Sequence, residues 1–356
     1  MGGPVILVTG SCGLVGSALI RYLGGGIGVD NDSRAVYFGK SGSTFPVALE
    51  LMKNPGYVHH GADIRDASAI DRIFEEHRPT GVVHCAAQPA HEWSKRHPRE
   101  DYDINVTGTV NILDAARRYC PTSPFVFVSS SKVYGTSING IELIEGAKRW
   151  DYYDTDGVDE SHPLDGSWHS PYGAHKAAAD IIAQEYAHEY QMPVTVLRPN
   201  CMTGHDHAGV EMHGFLNYLV KSAMAKRTYK AFGYGGKQVR DNIHADDVVS
   251  AIMCCLNDPT HGEAFNIGGG RGTDVSILEM VDHMARWGFD LSLEMHNQRG
   301  ADHICYITDN SKFRQRYNWE PTYTLDDIIT DIVGAVEYSR HSPPTGAGAK
   351  TPVPSL

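Results

Sequence analysis

The stretch Val5-Ile6-Leu7-Val8-Thr9-Gly10-Ser11-Cys12-Gly13-Leu14-Val15-Gly16 decides the fold. Four apolar residues in a row fit a strand buried on both faces, the kind that parallel sheets use. Three glycines follow at G-x-x-G-x-x-G spacing, and a helical pattern runs on from about 13 to 23. Glycine permits the tight turn, lets backbone approach a pyrophosphate and allows close helix–strand packing. The first N–H groups of the helix, at the positive end of its dipole, are then free for phosphate. Gly10, Gly13, Leu14, Val15 and Gly16 are therefore candidate cofactor contacts. Asp30 stands twenty residues past Gly10, at the end of a second strand that closes on Gly28-Val29-Asp30. A carboxylate there accepts hydrogen bonds from ribose hydroxyls and repels a 2′-phosphate, which favours NAD over NADP. Arg34, four residues on, leaves a cation within reach of such a phosphate.

Outward from that loop, short apolar runs alternate with helical patterns. Strands are expected at 57–59, 81–85, 125–128 and 194–197, and helices at 67–77, 105–119 and 173–190. This rhythm predicts an α/β fold, a Rossmann-type doubly wound parallel sheet with helices on both faces. Past about residue 204 the rhythm breaks, although short helices are expected at 245–256 and 277–287. The division read from this is a NAD-binding domain over 1–200, carrying an insertion at about 137–168. A smaller, mixed α/β substrate lobe follows over 201–340, with about 236–256 returning to the first domain. The segment 341–356, rich in proline, glycine and small residues, reads as a disordered tail.

Bulk composition narrows the function. The chain has 356 residues, 41% of them apolar, and a net charge of −12, which excludes a general nucleic-acid binder. Seven cysteines, an odd number with no C-x-x-C pair, read as reduced thiols of a cytoplasmic protein. No basic stretch with a cleavable apolar run opens the chain, and no apolar run is long enough to cross a membrane. Nineteen histidines include no H-E-x-x-H or similar cluster, so no metal is expected.

The chemistry concentrates in two segments. Tyr172-Gly173-Ala174-His175-Lys176 sets a phenol and an ammonium four apart, on one face of a helix. A lysine beside a tyrosine favours the phenolate, a base near neutral pH. Val128-Ser129-Ser130-Ser131-Lys132-Val133-Tyr134-Gly135, at a strand end, offers hydroxyls to share a proton with a substrate oxygen. Cys12 and Cys201 lack a base adjacent in sequence and read as packing residues. Trp150-Asp151-Tyr152-Tyr153 either stacks on a base or pins the insertion.

Together these motifs resemble the extended short-chain dehydrogenase/reductases, the family of NAD-dependent epimerases and dehydratases, from Val5 to about Pro321. The resemblance implies Tyr172 as acid/base, Lys176 as its partner and Ser130 as the hydroxyl, with NAD as cofactor. It places Asp63 and Ile64 beside the adenine. It adds Asn31, Cys85, Ala86, Ala87, Gln88, Asn105, Ser129 and Pro199 to the cofactor pocket. A nucleoside-diphosphate sugar is the implied substrate, met by Asn200, Arg240, Arg299, Gln88 and Ser131, with Asp302 orienting Arg299. A homodimer through helices 105–119 and 173–190 is implied as well. The family's sugar 4,6-dehydratases carry Thr-Asp-Glu where this chain has Ser130-Ser131-Lys132, so the pair that eliminates water is missing. That points to epimerisation by transient oxidation. The 38-residue interval from Tyr134 to Tyr172, and Gly236-Lys237-Gln238-Val239-Arg240-Asp241, are similar to the CDP-paratose (CDP-tyvelose) 2-epimerases. A 4-epimerase of UDP-, GDP- or CDP-hexoses, a net reductase and a non-catalytic NAD sensor remain alternatives.

Overall fold

A computed structural model describes residues 5–341, apart from 208 and 212. Seven strands form the central sheet: β1 (Ile6–Thr9), β2 (Gly26–Val29), β3 (Tyr57–His60), β4 (Gly81–His84), β5 (Phe125–Val128), β6 (Val194–Pro199) and β7 (Glu263–Ile267). Their order is β3-β2-β1-β4-β5-β6-β7, and every pairing is parallel. The order reverses between β1 and β4, which opens a crevice beyond the carboxyl ends of those strands.

Alternation along the strands supplies both faces with a core. Leu7 points to one side, where helices Ala67–His77, Gly108–Tyr119 and Pro171–Tyr190 pack with Phe74, Ile112 and Ala183. Ile6 and Val8 point to the other, against Leu19 of helix Leu14–Leu23 and Ile252 of helix Ala245–Asn257. The helix expected at 105–119 opens with a wider π turn over Asp103–Thr107. Strand β7 was not anticipated. It is five residues long and bounded by glycines, and only its partner β6 distinguishes it from a loop.

The second lobe has its own core of Leu219, Met280 and Ile328. The insertion joins the lobes. Its strands Leu143–Glu145 and Trp150–Tyr152 pair as a hairpin, the Tyr152 hydroxyl donates to the Cys305 carbonyl at 3.0 Å, and the Asn266 N–H of β7 donates to Glu160. The aromatic run at 150–153 thus pins the insertion. The tail expected at 341–356 lies, but for residue 341, outside the described residues. Among the described residues no helix is long and apolar enough to cross a membrane, and no three metal-ligating side chains converge.

Candidate active site

One cleft of about 450 Å³ runs from the glycine loop to Arg299 and is lined by both lobes. At its first end, Gly10 has φ 66°, and a Cβ there would stand 2.8 Å from the Ala86 nitrogen. A Cβ on Gly16 would stand 2.2 Å from the Gly10 carbonyl oxygen, so the turn and helix can close only on glycine. Leu14, Val15 and Gly13 line the same end. Asp30, just past β2, accepts from the Cys12 N–H at 3.0 Å and the Asp32 N–H at 2.9 Å. Its carboxylate is therefore fixed at the mouth of the cleft, as ribose recognition requires. Arg34 also lines this end, with its Nε donating to the Gly42 carbonyl and its guanidinium over Phe38. Asn31 donates to Asp63 at 3.0 Å, and Arg65 clamps the same carboxylate, next to Ile64. Cys85, Ala86, Ala87, Ser129 and Pro199 complete the wall.

Two expected wall residues stand behind it. Gln88 is fully buried and donates to Asp101 at 2.6 Å and to the Ala90 carbonyl at 3.0 Å. Asn105 accepts from the Gln88 N–H and donates to the Gln88 carbonyl, both at 3.0 Å. Buried Asp101 requires donors, and these two amides turn inward to supply them. They brace the loop after β4 rather than touch a ligand.

The acid/base group sits on helix Pro171–Tyr190, whose start is set by Pro171 and by Ser170, which accepts from the Gly173 N–H at 3.1 Å. Tyr172 and Lys176 fall on its buried face. Burial pushes the phenol up to about 12, with Ser130 beside it opposing that rise. Lys176 departs from expectation. Its Nζ donates to the Val128 carbonyl at 2.9 Å and lies 4.3 Å from the centre of Phe127. Burial lowers it to about 8, with Asp180 opposing. Ser130 opposes the rise in the phenol, while one hydrogen bond of the ammonium goes to backbone. A buried chain fixes the serine run. Ser129 donates to Asp180 at 2.6 Å, Arg198 clamps Asp180 at 2.8 and 3.0 Å, and Arg198 also donates to the Tyr134 hydroxyl.

At the far end, Ser131 donates to Asn200 at 2.9 Å. Asp302 accepts from Lys132 at 3.0 Å and Arg240 at 2.8 Å. Although burial resists, Lys132 and then Arg240 hold its carboxyl well below the usual range. Arg299 lies elsewhere, 3.9 Å above the Phe232 ring. Asp302 thus orients Arg240 and Lys132, not Arg299. Burial raises the Cys12 thiol to about 11 and Cys201 to about 12, which suits packing rather than nucleophilic chemistry. The sequence reading missed His91 and Glu92 in the cleft wall. Their signal was position, since the loop after a parallel strand next to the switch point faces the crevice.

A glycine turn at the switch point of a parallel sheet, with serine and tyrosine beyond it, defines an enzyme that works on a bound dinucleotide. The model of the NAD dependent epimerase/dehydratase family matches residues 6–268. The CDP-paratose 2-epimerase of Salmonella typhi is 31% identical over 337 residues, covering 91% of this chain and 96% of that protein. The dTDP-glucose 4,6-dehydratase of Haemophilus influenzae is 28% identical over 352 residues, covering 92% and 96%. The structure of UDP-glucose 4-epimerase from Thermotoga maritima with UDP-glucose aligns with a TM-score of 0.77 at 26% identity, covering 94% of this chain and 99% of that one. The chain belongs to the NAD dependent epimerase/dehydratase family. Its cofactor is NAD, and the glycine loop with Asp30 fits it.

Proposed function

We propose that this chain is a nucleotide-sugar epimerase that oxidises a ring carbinol to a ketone and reduces it again on the opposite face, most like a CDP-paratose 2-epimerase. One observation carries the reading. The two positions that hold an acid and a base in the dehydratases are Ser131, bonded to Asn200, and Lys132, bonded to Asp302. Neither is a carboxyl group, so the acid/base pair through which the dehydratases eliminate water is missing here. The carboxylate nearest them, Asp302, is held ionised by two cations and is a poor acid.

Tyr172 takes the proton of the sugar hydroxyl, and Ser130 hydrogen-bonds the same oxygen. Bound NAD supplies the acceptor for the carbon's hydride and then its donor, and ends unchanged. Tyr172 returns the proton once the sugar has presented its other face. Lys132 and Arg240 share Asp302 at the far end of the cleft, and Arg299 lines the same end above Phe232, a set of cations that suits a diphosphate. Exposed Tyr102 and Ile181, on the side of the sheet that carries helix Pro171–Tyr190, support a homodimer through that face. Similarity to the Thermotoga maritima 4-epimerase supports C4 as the second choice of carbon.

The test is proton NMR of the protein with one equivalent of NAD and, in turn, CDP-, UDP- and GDP-hexoses. A new anomeric signal from an epimer is expected. A new methyl doublet, the mark of a 6-deoxy product, would show a dehydratase instead.

A further inference from the structure

We infer that His91 contacts the sugar and fixes how it is presented to Tyr172. The inference rests on the nucleotide-sugar reading above.

His91 opens helix His91–Arg96, directly after the loop at the carboxyl end of β4. Its ring centre lies 4.9 Å from that of Tyr172, with the planes inclined by 56°. It lines the same cleft as Ser130, Lys132 and Arg299. The His91 Nδ1 is 2.9 Å from the Ser170 hydroxyl oxygen. That oxygen accepts from the Gly173 N–H, and among the described residues Nδ1 is the acceptor within reach of its proton. This network assigns the ring proton to Nε2. Among the described residues Nε2 has no partner, and it is not sealed from the cleft. Burial, reinforced by the charge of Lys132, lowers the imidazole to about 3 and keeps it neutral.

The cleft therefore holds a neutral N–H donor beside the acid/base tyrosine. A neutral donor suits a sugar hydroxyl next to the reacting carbinol, because it bonds that oxygen without placing a charge beside the forming ketone. Its anchor matters as much. Ser170 caps the helix that carries Tyr172, so one hydroxyl ties the imidazole to the base. The distance between the two groups does not depend on the longer loops of the second lobe. A sugar oxygen held by His91 would then decide which neighbouring carbinol faces Tyr172. The rival account is purely structural, with the imidazole filling space against the phenol ring.

Calorimetry on the NAD-loaded full chain separates these accounts. The probes are CDP-glucose against CDP, UDP-glucose against UDP and GDP-mannose against GDP. For the pair in which wild type binds the sugar form more tightly, His91→Phe is expected to weaken the sugar form about tenfold and leave the diphosphate unchanged. His91→Gln, which keeps an N–H donor, should stay within about threefold of wild type. Equal weakening of both members, or no weakening of either, would overturn the assignment. If wild type shows no preference for any sugar form, the nucleotide-sugar reading itself fails, a different result from a wild-type preference that survives in His91→Phe.

Discussion

Tyr172 is placed by its neighbours rather than by its own contacts with solvent. Ser170 and Pro171 start its helix, Ser94 accepts from its backbone N–H at 3.2 Å, and Ser130 meets its phenol. Burial raises the phenol to about 12, so the base form is scarce at neutral pH and turnover should climb as pH rises. Ser130 lowers that value. Ser130→Ala should therefore move the rising limb of the pH–rate profile to higher pH, by about one unit, and slow turnover at pH 7 by about tenfold. Tyr172→Phe should keep its NAD and lose turnover by at least about a hundredfold across the whole range. A Tyr172→Phe enzyme with full activity would remove the tyrosine from the base role. At this scale the sequence was legible where spacing alone places a group in the cleft, as with Gly10, Asp30, Tyr172 and Lys176. It was not legible where direction matters. Spacing does not say that Gln88 and Asn105 turn inward to Asp101, or that Lys176 turns onto Val128, because each choice is made by a partner distant in sequence.

The elements add a strap across the cofactor end. After β6, residues 204–207 and 213–214 lie along the cleft, which Asp206, His207 and His213 help to line. Asp206 pairs with Arg21 of helix Leu14–Leu23, and His213 stacks on Phe38 at 5.9 Å. His205 bonds Asp331 of helix Leu325–His341 at 3.1 Å and pairs with Asp206 at 3.3 Å. Asp206, then Asp331, raise His205 to about 10, so it is charged at neutral pH. The folded value lies above the ordinary 6.5. Its contribution is thus complete below about pH 6.5 and is lost as pH rises through about 10. Release of NAD from the holoprotein should accelerate between pH 7 and pH 10, as followed by exchange with labelled NAD. In His205→Gln release should be faster at pH 7 and flat over that range. Release that is equally slow in both proteins at pH 7 would show that the strap does not retain cofactor. The strap's reach to Phe38 and Arg21 depended on a sheet order that no local pattern contains.

The whole molecule is two lobes sharing one cleft, and their joint is the insertion between Tyr134 and Tyr172. Its long interval was visible in sequence as a sub-family trait. Its mechanical role appears only in three dimensions, where Arg149 meets Glu279, Arg271 meets Asp151 and Val158 pairs with Ile307. Similarly, β7 completes the sheet from deep within the second lobe, so the boundary read at residue 200 divides the chain but not the fold. Such a joint suits a reaction that keeps its intermediate and its NAD inside one turnover. The central claim is that hydride returns to the carbon it left. The most direct measurement is NMR of the product from a nucleotide sugar deuterated at the carbon that inverts, incubated with the protein and unlabelled NAD. The account predicts that the epimer carries its deuterium on that same carbon. Deuterium found on a different carbon, as elimination and internal transfer would leave it, or lost to free cofactor, would contradict it.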